Sequence, residues 1–274
     1  METNLKTISD LALSQIDLFQ HIEKVYKNLT LLPDFTFTAY GPTDGSDDSI
    51  NAKSEMMTGA RLKAASTNSK QGLWLAKLAM HVTANAEGHI NVLELGTAAG
   101  ISGMYLLAGI APKGEGRLIS FEGSPELAKL AEGYLRDFVS QNTLHNIDFE
   151  IIVGNFDNTL EGYIKDHNQP IHLAFIDGNH REDATIHYHE LVRNVMGGRG
   201  VIVHDDISWS ANMTRAWQHI QQIEGAGKTA ELYLGNLPSR GIVFLDGEPN
   251  GEAEIVHLDG IIERLGRQAK RILK

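Results

Sequence analysis

NVLELGTAAGISGMYLL, residues 91–107, decides how the rest of the chain is read. The apolar positions Val92, Leu93 and Leu95 around Glu94 make a run with the length of a buried strand, too short for a helix. Gly96, Ala98 and Gly100 then remove side-chain bulk where backbone must come close to a ligand. Ile101, Met104, Tyr105 and Ala108 resume helical spacing. A strand, a tight turn and a helix N-terminus in that order cradle a nucleotide-like ligand. The glycines fall as Gly96-xxx-Gly100-xx-Gly103 and depart from the G-x-G-x-x-G of dinucleotide folds, so the turn alone selects no ligand class. Glu122 narrows the choice, because it closes the next expected strand, residues 117–121. A carboxylate there accepts both ribose hydroxyls of an adenosine lying across the strand ends. Glu94 and Glu122 together point to a nucleoside-type site.

Downstream, strands and helices alternate. Strands are expected at 117–121, 147–153, 171–177 and 200–204. Helices are expected at 124–140, where Pro125 suits a first turn, and at 158–166, 183–195 and 211–223. That alternation implies a parallel sheet with ligands at the carboxyl ends of its strands. Residues 231–234 and 242–245 break the pattern, since GNLPSRG is too short for a parallel crossover and the two runs must pair as a hairpin. The expected fold is therefore α/β: a Rossmann-like, doubly wound seven-stranded sheet, mostly parallel, with an antiparallel terminal hairpin.

Upstream, apolar residues at Leu5, Ile8, Leu11, Leu18, Ile22 and Val25 give one or two helices over residues 5–30. Residues 33–51, with GPTDGSDDS among them, have the composition of a mobile linker or lid. Helical signal returns from Ser54 through Met56, Met57 and Leu62, and again from Ser69 through Leu78. The division read from this is an N-terminal extension and lid, residues 1–54, and a main domain, residues 55–274.

The chain's 274 residues are 42% hydrophobic, enough for one large core. With 24 Lys+Arg against 35 Asp+Glu the net charge is −11, which repels nucleic acid. The basic residues of 261–274 read as the solvated face of a terminal amphipathic helix. There is no cysteine, so disulfides, thiolate metal sites and cysteine nucleophiles are out. No run reaches the ~20 apolar residues of a membrane span. A soluble cytoplasmic protein with no membrane partner is expected, and the apolar N-terminal helices make a homodimer the expected assembly.

Two polar clusters close successive strands, FIDGNH at 175–180 and VHDDIS at 203–208. Adjacent strand ends bring Asp177, Asp205 and Asp206 within reach of one hard cation, and oxygen ligands suit Mg²⁺. The plainer reading has one aspartate capping a helix and another facing solvent. His180 stands three residues after Asp177, where a neutral imidazole takes a proton from a metal-polarised hydroxyl. His187 and His189, two apart on a helix, face different ways and read as surface or packing residues. His204 reads as hydrogen-bonded scaffold, Trp209 as a wall for an aromatic acceptor and Trp217 as core.

ELGTAAGIS, the acid at 122, VGNF, FIDGNH and HDD together resemble the class I S-adenosylmethionine-dependent methyltransferases, and among them the metal-dependent O-methyltransferases of the catechol and caffeoyl-coenzyme A type. The resemblance covers about residues 55–246. It implies that Glu94, Gly96, Thr97, Ala98 and Ser102 surround the methionine part of S-adenosylmethionine, that Glu122 binds the ribose, and that Asn155 and Phe156 meet the adenine. Asp177 would border the cofactor and, with Asp205 and Asp206, hold the metal. His180 occupies the place of the family's catalytic lysine, and Asp206 that of its asparagine. The implied reaction is in-line methyl transfer to a hydroxyl of a small, aromatic vicinal-diol acceptor. Four alternatives stay open: a metal-independent methyltransferase, an iron oxygenase using His180, His204 and Asp177, a nicotinamide oxidoreductase, and a non-catalytic adenosine-binding module.

Overall fold

The structure is a computed structural model describing residues 8, 11, 15–40, 52–166, 169–246 and 252–258. Its frame is an eight-stranded sheet of β3 (Ile90–Leu95), β4 (Gly116–Glu122), β5 (Ile147–Val153), β6 (Ile171–Ile176), β7 (Met196–Asp205), β8 (Thr229–Leu234), β9 (Leu237–Phe244) and β10 (Glu254–His257). Their spatial order is β10-β8-β9-β7-β6-β3-β4-β5, and only β9 runs antiparallel to its neighbours. All six residues of β3 are buried. It lies between β4 and β6, so the chain leaves it toward one edge of the sheet and later returns toward the other. A crevice opens above the carboxyl ends of the strands at such a reversal.

Helices cover both faces. On one lie α1 (Ile16–Asn28), α3 (Ser69–Asn85), α4 (Ile101–Ile110) and α5 (Pro125–Gln141), packed with Ile90, Val92, Leu118 and Phe175. On the other lie α6 (Phe156–Asp166), α7 (Glu182–Arg193) and α8 (Ala211–Glu224), packed with Leu93, Leu95, Ile119 and Phe121. The alternation along β3 assigns Val92 to one layer and Leu93 to the other, as strand period dictates. Among the described residues, no helix is long and apolar enough to cross a membrane.

Three expectations need correction. Residues 53–57, read as the start of a helix, form β2 (Lys53–Met57), which pairs antiparallel with β1 (Phe35–Ala39) inside the expected linker. The adjacent methionines match either period over so short a run, and the helix α2 (Gly59–Ala65) starts only where the Thr58 side chain accepts the Arg61 N–H. The sheet also has eight strands instead of seven, because residues 254–257 add β10 parallel to β8. Finally, the hairpin turn is tighter than GNLPSRG suggests: Leu234 pairs with Leu237, with Gly235 at φ +65°. Pro238 then enters β9 at a register shift, where a strand tolerates its missing N–H. Residues 41–51 and the basic stretch 261–274 lie outside the described residues, as does most of the segment before α1.

α1 is not a detached appendage. Phe19 stacks on Tyr105 of α4 with ring centroids 6.1 Å apart, and Leu18, Phe19 and Ile22 belong to the core beneath α3 and α4.

Candidate active site

The turn after β3 carries the geometry that only its glycines allow. Gly96 has φ +95°, and a Cβ on it would stand 1.9 Å from the Asp177 carbonyl oxygen. That close approach ties β3 to β6, reinforced by the Asp177 N–H donating to the Leu95 carbonyl at 2.8 Å. Gly100, at φ +76°, precedes the first turn of α4 and donates its N–H to the Thr97 carbonyl. Among the described residues, Ala98, Asn179 and Asp206 are three of the four non-glycine residues in the left-handed region, at φ 46°, 51° and 54°. Such conformations gather at functional sites, where surrounding structure holds them.

Above the turn lies a cleft of about 220 Å³. Gly96, Ala98, Glu122, Asn155, Phe156 and Asp177 line it, together with His180. The other expected cofactor residues, Glu94, Thr97 and Ser102, are buried below it. Glu94 is wholly buried and accepts a hydrogen bond from Ser120 Oγ at 2.5 Å, while its second oxygen has no partner. Burial pushes its carboxyl up to about 7, against hydrogen bonding from Ser102 and Ser120. Glu122 accepts the backbone N–H groups of Ala98 at 2.8 Å and Ser124 at 2.9 Å. Burial raises its pKa, and those N–H groups restrain the rise.

One wall of the cleft comes from a segment that the sequence reading treated as a lid. Phe37, Thr38, Ala39 and Tyr40, in and just after β1, line it opposite Glu122. The Thr38 N–H donates to Glu126 Oε2 at 3.1 Å, fastening β1 to the start of α5, and the Tyr40 ring lies over Gly123. The strand propensity of FTFTA was the available signal.

At the far end of the cleft Asp177, His180 and Asp206 converge, with one ligating atom of each within 4.8 Å of the others. His180 Nε2 stands 3.5 Å from Asp177 Oδ1 and 3.6 Å from Asp206 Oδ2. Asp205, expected beside them as a metal ligand, is engaged elsewhere. Its oxygens accept Arg240 Nε at 3.0 Å and Nη2 at 2.7 Å, and Oδ1 also accepts the Asp206 N–H. Arg240 is fully buried, further bonded to the Gln71 carbonyl and Thr67 Oγ1, and lies over the Phe175 ring. A buried pair so fully satisfied is scaffold.

Asp205 still acts through its charge. Asp206 is pushed up to about 7 by burial and by the Asp205 and Asp177 charges, even with 44% of its side chain open to solvent. Burial likewise raises Asp177, followed by the Asp205 charge. Burial works to lower the His180 pKa, but Asp177, Asp206 and Asp205 outweigh it and hold the imidazole above its ordinary value. Three carboxylates crowded in this way favour a bound cation.

His204 faces the other side of β7 from Asp205. It is buried against His189, with Nε2 3.1 Å from His189 Nδ1, and beside Trp217. The histidine pair that the iron-oxygenase reading requires is therefore not assembled. Trp209 is 41% exposed, with its ring 5.1 Å from that of His180.

Comparison with known proteins bears on the domain that carries these residues. A family model described as a methyltransferase domain matches residues 93–207, from β3 to just past the aspartate pair. The catechol O-methyltransferase of Mycobacterium tuberculosis is 25% identical over 202 residues, covering 70% of this chain and 84% of that protein. The fold is shared with an O-methyltransferase from Bacillus cereus in complex with S-adenosylhomocysteine (TM-score 0.55, 16% identity, 87% of this chain and 96% of that one). It is shared too with the Streptomyces achromogenes O-methyltransferase TomG in complex with S-adenosylmethionine (TM-score 0.52, 18% identity, 66% and 82%).

Proposed function

We propose that this chain is a class I S-adenosylmethionine-dependent methyltransferase that transfers the methyl group to a hydroxyl of a small acceptor, an aromatic vicinal diol, with a divalent cation at the Asp177 end of the cleft. The observation carrying this reading is a single cleft whose wall holds Gly96, Ala98 and Glu122 together with Asp177 and His180. A cofactor on the first set directs its reactive end toward the second.

The cofactor supplies a methyl already activated on sulfonium, and a divalent cation, when bound, lowers the pKa of an acceptor hydroxyl. The remaining work falls to side chains of this chain. Glu122 presents its carboxylate to the ribose hydroxyls, the Gly96 backbone leaves room for the ligand, and Phe156 and Asn155 border the base. Asp177, Asp206 and His180 hold the acceptor's oxygen end, and Trp209 offers its exposed ring to an aromatic body. Positioning of this kind supplies roughly 7–11 kcal/mol of barrier reduction.

His180→Ala is expected to lower turnover at least a hundredfold and leave S-adenosylhomocysteine affinity within about twofold. Methyl-transfer assays on a panel of catechols and matched monophenols, with and without chelator, test the whole reading. Turnover that persists in chelator and ignores the second hydroxyl would remove the cation and the diol from it.

A further inference from the structure

We propose that His180 is itself a ligand of the cation site, in the place expected for Asp205, and that its nitrogen makes the site select a first-row transition ion over Mg²⁺. The inference rests on the cation-dependent reading above and changes the role of His180 from proton acceptor to ligand.

Three observations carry it. The first is the fate of Asp205: both its oxygens accept from Arg240 and Oδ1 also accepts the Asp206 N–H, so turning it to a cation would disrupt a buried ion pair. The all-oxygen set of three aspartates is thereby reduced to two. The second is that His180 Nε2 is shut off from solvent and has no hydrogen-bond partner. An imidazole nitrogen in that condition needs an occupant beside it. The third is spacing. Separations of 3.5 and 3.6 Å from Nε2 to the two carboxylate oxygens exceed the length of an N–H···O bond. Ligands on bonds of about 2.1 Å at a near-tetrahedral angle stand about 3.4 Å apart. Nε2 thus stands from each carboxylate oxygen like a neighbour on one ion more than like a member of a hydrogen-bonded chain, with all three ligating atoms within 4.8 Å of one another.

Donor chemistry then sets the preference. Carboxylate and water suit Mg²⁺, which seeks oxygen and gives up its own waters reluctantly. Imidazole suits Zn²⁺, Fe²⁺, Co²⁺ and Ni²⁺, and one nitrogen beside two carboxylates tilts the site toward those ions. The ring is held in place for this by its contact with Trp209.

The test uses the whole purified chain with saturating S-adenosylhomocysteine, titrated with CoCl₂ and, separately, MgCl₂ in a calorimeter. Proton NMR of the Co²⁺ form then looks for a paramagnetically shifted, solvent-exchangeable imidazole N–H signal. Co²⁺ is expected to bind at least tenfold more tightly than Mg²⁺, and the shifted signal to be present. In His180→Asn the signal is expected to vanish and Co²⁺ affinity to fall at least tenfold, while retained S-adenosylhomocysteine binding reports that the variant is folded. Co²⁺ bound to the unaltered protein without that signal, or at unchanged affinity in the variant, overturns the ligand role and leaves the cation-dependent reading standing. Binding of neither ion overturns both.

Discussion

Gly96 shows how much of the site rests on a missing side chain. Its φ of +95° and the Asp177 carbonyl 1.9 Å from a would-be Cβ leave no room for alanine. The obstacle is backbone, so it cannot swing aside. Gly96→Ala is expected to cost about 3 kcal/mol in urea unfolding and to abolish S-adenosylhomocysteine binding. Glu94, two residues earlier, acts on pH dependence instead. Its carboxyl, raised from 4.5 to about 7 in the folded protein, stays protonated while the unfolded chain has ionised. The folded state therefore binds more protons in that interval, and stability falls as pH rises from about 4.5 to 7, then levels off. Glu94→Gln is expected to remove up to about 3 kcal/mol of that fall, read from urea midpoints at pH 5 and pH 7.5. A fall as steep in the variant would assign the dependence to Glu122, Asp177 and Asp206, which burial also raises.

At the scale of elements, β1 and β2 do what the sequence did not disclose. Neither strand lies within the matched methyltransferase segment, yet β1 and the residue after it wall the cleft, fastened to α5 through Thr38 and Glu126. Tyr40→Ala is expected to weaken S-adenosylhomocysteine binding about fivefold to tenfold, with little loss of thermal stability for a ring 37% exposed. An unchanged affinity, measured by calorimetry, would make the hairpin a neighbour of the ligand and not its wall. The strand-turn-helix at 91–107 and the later alternation were legible because their apolar periods are long and regular. β1, β2 and β10 were not, since five, five and four residues fit strand and helix alike until a partner is present. The engagement of Asp205 was not legible for a related reason. Arg240, which claims it, lies 35 residues away on an antiparallel strand, and no local pattern announces such a pairing. The exchange of Asp205 for His180 beside Asp177 and Asp206 becomes visible only in three dimensions.

For the whole molecule, the sheet acts as a platform. Its reversal of direction at β3 aligns the ends of β4, β3, β6 and β7, and those ends present Glu122, Gly96, Asp177 and Asp206 in sequence along one crevice. On the proposed reading, cofactor recognition belongs to the β3–β4 half and acceptor chemistry to the β6–β7 half, so the two are separable by experiment. The most direct test is calorimetric titration of the purified protein with S-adenosylhomocysteine, with NADH as the control ligand. Micromolar binding of S-adenosylhomocysteine, with no heat from NADH and with binding retained in His180→Ala, is the expected result. Failure of S-adenosylhomocysteine to bind, with or without a divalent cation, would contradict the assignment of Glu122 and the cleft it closes.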